Sequence, residues 1–68
     1  MSADRLRLEE EFAQAVARCA SALNEQLLAA MRTDTEGFSQ SERAIIVATK
    51  ERQGAKTALI EHLKNHGC

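Results

Sequence analysis

Three residues near the carboxyl end of this chain have the chemistry of metal ligands: His62, His66 and Cys68. Histidines four apart share one helix face and can chelate a divalent ion, and a thiolate can add a third ligand. The spacing supplies no fourth ligand. The same residues also read as an ordinary last helical turn, where Lys64 and His66 complement the negative end of the helix dipole. The expectation is that no metal or cofactor is held. Cys19 recurs in step with large apolar residues, so it reads as a small core hydrophobe. A reactive thiol would need exposure and cationic neighbours. The chain has no Gly-rich phosphate loop, no nucleophile elbow and no paired acids on an apolar face, which points to a protein without enzymatic activity. What remains is recognition chemistry. Lys50, Arg52 and Lys56 lie close together, interleaved with Glu51 and Gln53 and preceded by Ile46 and Val47. Apolar anchors beside charged groups suit a protein interface. The alternative is a solvated face on which Arg52 lays its aliphatic stem over apolar neighbours.

These residues must be positioned by helices. The 68 residues include no proline, three glycines and two aromatic residues, both Phe, with 44% apolar and 28% charged residues and a net charge of −1. Ala, Glu, Leu and Arg dominate, so a single all-α domain over residues 1–68 is expected. The balanced charge argues against a general nucleic-acid binder. The longest apolar run is five residues, too short to span a membrane, and no export signal is visible. With two unpaired-looking cysteines, these features fit a cytoplasmic protein.

Large apolar residues recur at Leu8, Phe12, Val16, Cys19, Leu23, Leu27 and Ala30, with spacings of 4, 4, 3, 4, 4 and 3. That eleven-residue repeat lies close to the period of a straight α-helix. It predicts a first helix over about residues 3–33, with Ser2 or Asp4 as cap. A polar stretch, Thr33 to Phe38, follows, and its Gly37 suits a positive φ. Ser39-Gln40-Ser41-Glu42 then matches a capping box, predicting a second helix over about residues 40–66 that ends at Gly67. Two long helices and a connection of about six residues make an antiparallel hairpin. A turn near residue 35 opposes Leu8 to Leu63, Phe12 to Leu59, Val16 to Ala55 and Leu23 to Ala48, with Leu27 near Ala44 and Ile45. This register places Ala17 across from Gly54, a close helix contact that would justify a glycine inside a helix.

A hairpin of this size cannot bury enough surface to offset its chain entropy. Ile45, Ile46 and Val47 point ~100° apart round the helix and together exceed what one partner helix covers. A homodimeric four-helix bundle is the simplest solution. Its hairpin or dimer core would comprise Leu8, Phe12, Val16, Cys19, Leu23, Leu27, Ile45, Leu59 and Leu63. Ile46, Val47, Lys50, Arg52 and Lys56 would meet a second protein.

In this outline the chain resembles the Rop-like plasmid proteins, whose hairpins dimerise and bind paired RNA loops, although its eleven-residue spacing departs from their heptads. It also resembles small helical-hairpin chaperones of secretion systems and phage-encoded antagonists of host regulators, such as anti-quorum-sensing proteins. The resemblance is architectural and spans the whole chain. It implies a phage- or plasmid-encoded modulator (an inhibitor, adaptor or chaperone) acting on a host regulatory protein. The alternative is a Rop-like RNA- or DNA-binding dimer using Arg18, Lys50, Arg52 and Lys56. The absence of Trp and Tyr removes most base-stacking platforms and weakens that alternative.

Overall fold

The computed structural model describes residues 3–66, and side chains as far as residue 65. Ser2, Gly67, Cys68 and the His66 side chain lie outside the described residues, and with them the expected Ser2 cap, the glycine cap and two of the three metal-ligand candidates. Helix α1 spans Ala3–Met31 and helix α2 spans Thr35–His66, and the described residues contain no strand. Helices of this length are each about 45 Å long. The whole molecule measures 49 × 15 × 11 Å, so the two lie side by side as an antiparallel hairpin.

The connection is shorter than the sequence predicted, at Arg32, Thr33 and Asp34. The amide of Thr33 donates to the carbonyl of Ala30 at 3.2 Å, and that of Asp34 to the carbonyl of Ala29 at 2.8 Å. This Schellman pairing satisfies the carbonyls at the end of α1. It places Thr33 in the left-handed region, with φ of 57°. A β-branched residue there is strained by about 1–2 kcal/mol. Thr33→Gly is therefore expected to stabilise the fold by about 1 kcal/mol, read as a higher thermal midpoint. An unchanged or lower midpoint would show that no strain is stored at this residue.

Helix α2 starts at Thr35, not near Gln40, because Asp34 caps it first. Asp34 Oδ1 accepts from the Gly37 amide at 3.0 Å, and the Asp34 carbonyl accepts from the Phe38 amide at 2.9 Å. Gly37 does not supply the positive φ. It makes room for the cap, since a Cβ at that position would lie 2.9 Å from Asp34 Cγ. The predicted capping box is not used. Ser39 lies inside the helix, and the Glu42 carboxylate instead accepts from Gln26 Nε2 at 3.1 Å across the hairpin. The earlier cap extends α2 by more than a turn and brings Phe38 beside Ala29 and Ala30 at the end of α1.

The seam between the helices also differs from the prediction. Among the described residues, the buried ones are Ala15, Ala22, Ala29, Ser41 and Ala48. They recur every seven residues on each helix. Half-buried residues alternate with them: Leu8, Phe12, Cys19 and Gln26 on α1, and Ile45, Arg52 and Leu59 on α2. The seam therefore follows a heptad, not the eleven-residue repeat. Within the hairpin, Val16, Leu23, Leu27 and Leu63 are not core but exposed. Alanines along the seam let the backbones approach closely. Val16 and Leu23 follow Ala15 and Ala22, so they point ~100° further round the helix, onto its flank. Ser41 is buried without cost in unmet hydrogen bonding, because its hydroxyl donates to the Phe38 carbonyl at 2.7 Å.

Candidate interaction surface

The two flanks of the seam differ in chemistry. On one, Glu11, Arg18 and Glu25 of α1 and Arg32 just beyond its end fall at seven-residue intervals, all exposed. Arg7 pairs with Glu11 at 3.2 Å, and Arg18 reaches Glu51 of α2 at 3.6 Å. Each partner is at least half exposed, so each pair contributes at most about 1 kcal/mol and serves mainly to keep this flank solvated. The other flank of α1 carries Leu6, Ala13, Val16, Ala20, Leu23 and Leu27, also exposed. Here Val16, Cys19, Ala20 and Leu23 form a groove with Ile45, Thr49 and Arg52 of α2. Arg52 and Cys19, which the register of a turn near residue 35 sets opposite each other, both line this groove. Arg52 is half-buried at a seam position, an arrangement that lets its stem pack while its guanidinium reaches the edge.

The five residues expected to meet a partner do not share one face. Val47 and Lys50 are exposed on the outer side of α2, away from the seam, and Ile46, also exposed, borders the groove-side row. Arg52 and Lys56 are one turn apart on the groove side. A signal missed in the sequence orders the outer set. Arg43, Lys50 and Lys64 fall in a seven-residue register on α2 and make an exposed basic ridge, with Val47 between the first two.

The close contact expected between Ala17 and Gly54 is not made. Both residues are exposed, and a Cβ added at Gly54 would meet nothing within 4 Å. The seam belongs to Ala15 and Ala22, leaving Gly54 on the outer face. Helix α2 nevertheless runs through Gly54 without a break. Gly54→Ala is therefore expected to add about 1 kcal/mol of stability, by helix propensity alone. A chemical-denaturation midpoint that falls would reveal a contact the hairpin does not show.

His62 is half-buried in the seam, and among the described residues no group of three or more His, Cys, Asp or Glu is placed to hold a metal ion. No helix among the described residues is long and apolar enough to cross a membrane. No protein-family model matches the chain, and no curated protein or solved structure shows significant similarity to it.

Proposed function

We propose that this chain is a small, non-enzymatic, protein-binding modulator (an inhibitor, adaptor or chaperone) that works as a homodimeric four-helix bundle. One observation carries the reading. The buried interior described is four alanines and a serine, while eleven large apolar residues of the same helices are exposed. Alanine burial alone is far too little to stabilise a two-helix domain, whereas a second hairpin on the apolar flank would supply the missing core. The outer side of α2 then stays free. Val47, 58% exposed, is an apolar anchor with Arg43 and Lys50 one turn away on either side. That composition fits an apolar pocket rimmed by acidic residues on another protein.

The test separates the two surfaces. Immobilised protein is expected to retain a specific host protein, and Val47→Asp should abolish capture while light scattering still reports a dimer. Dissociation of the dimer by Val47→Asp would instead make this residue part of the bundle and overturn the assignment. Tight retardation of duplex RNA or DNA, weakening steeply with salt, would replace the reading with a nucleic-acid-binding dimer.

A further inference from the structure

We infer that the dimer forms by packing α1 of one protomer antiparallel on α1 of its partner, with the two hairpin connections at opposite ends of the bundle. The inference rests on the homodimer reading above and specifies its geometry.

The choice of face follows from the flanks. Glu11, Arg18, Glu25 and Arg32 keep one side of the seam solvated, whereas Ala13, Val16, Ala20, Leu23 and Leu27 leave the other without charge along five successive flank positions. A hairpin face of 49 by 15 Å offers roughly 700 Å² per protomer, close to the ~800 Å² that each partner contributes to a stable interface. The occupant is a second copy because the α1 flank complements itself. Reversed about Arg18, it sets Val16 against the partner's Ala20 and Leu23 against the partner's Ala13. Two further matches set Leu6 against the partner's Ala30 and Leu27 over the stem of the partner's Glu9. Large meets small at three of these four matches, as interdigitating side chains require. Arg18 also lies one residue from the middle of α1, Ala3–Met31, so this register overlaps nearly the whole length of both helices.

The corresponding row of α2 does not complement itself. Its middle is Thr49, Gln53 and Lys56, and reversal sets Ile46 against the partner's Lys56. The same-end arrangement, which stacks α1 on the partner's α2, unites Leu23 with the partner's Ile46. It also sets Val16 against the partner's Gln53 and Leu27 against the partner's Glu42. Helix α1 therefore forms the dry centre of the interface, and the polar middle of α2 lies toward its edge.

Electron spin–spin distance measurements test this in the full chain. A Cys19→Ala, Cys68→Ser background would carry one nitroxide at either Arg7→Cys or Ser21→Cys, both exposed on the side of α1 away from the seam. Light scattering of each labelled protein comes first. In the antiparallel dimer, distance from the two-fold counts twice along the helix axis. Along that axis the Arg7 pair should then lie roughly 24 Å farther apart than the Ser21 pair, from the ~1.5 Å rise per residue, and its measured distance should be clearly the longer. A dimer with equal separations at both positions would overturn the α1-on-α1 packing and leave the homodimer standing. A monomer in the unlabelled wild type would overturn both.

Discussion

Enlarging Ala15 to leucine is expected to destabilise the fold by about 2 kcal/mol, lowering the thermal midpoint by roughly 8–16 °C. Ala15 is 1% exposed and lies in the row of small residues where the helices meet. A leucine there must either leave its rotamer well or push the backbones apart, and separation would open Ala22 and Ala48 as well. Ala17→Leu is the internal control. Ala17 is exposed on the outer side of α1, so the same change should stay within about 0.5 kcal/mol. Circular-dichroism melts of the two variants at equal concentration make the comparison. Equal losses would mean that the seam is not where the hairpin is held.

Leu23→Asp is expected to be more damaging, although Leu23 is 54% exposed in the hairpin. On an isolated surface such a change moves stability by at most about 0.5 kcal/mol. On a flank covered by a second copy it places an ionised carboxylate in an apolar contact, at a cost of several kcal/mol, and symmetry imposes it twice. The expected result is loss of the dimer at micromolar concentration, together with most of the helical signal. The signal falls because a lone hairpin with an alanine interior lies below the size at which chains fold unaided. Leu28→Asp provides the contrast. Leu28 lies on the charged side beside Glu25 and Arg32, and its replacement should leave dimer and fold in place. If Leu23→Asp behaves like Leu28→Asp, the apolar flank is open in solution and the four-helix reading is wrong.

The candidate surfaces were only partly legible in the residues. Ile46 and Val47 were recognisable as exposed groups, because the three consecutive β-branched residues from Ile45 to Val47 cannot all point at one neighbouring helix. The place of Arg52 across from Cys19 follows from the register of a turn near residue 35. The grouping was not legible. Residues 46 to 56 look like one patch along the chain, but a helix turns ~100° per residue and distributes them over two faces. Gly54 misled for a related reason. A glycine in a helix suggests a close neighbour, yet it lies on the outer face where nothing approaches.

By itself the sequence determined the helical class, the hairpin and the approximate register. Each follows from local chemistry: a proline-free run of helix formers, one short polar break and apolar periodicity on both sides of it. The cross-helix contacts Arg18–Glu51 and Gln26–Glu42 join residues whose numbers sum to 69 and 68, within about one helical turn of the register read from a turn near residue 35. Only the tertiary structure decided which stripe each helix turns inward. Periodicity weights residues by hydrophobicity and so selects Val16, Leu23 and Leu27. Packing two helices side by side weights them by size. The closest approach goes to Ala15, Ala22, Ala29, Ser41 and Ala48, and the larger side chains are turned to the flank. The start of α2 was decided in the same way, by a cap at Asp34 in place of the one expected at Ser39. Asp34 prevailed because the tight turn at Thr33 returns the chain at once and the added turn brings Phe38 against the end of α1.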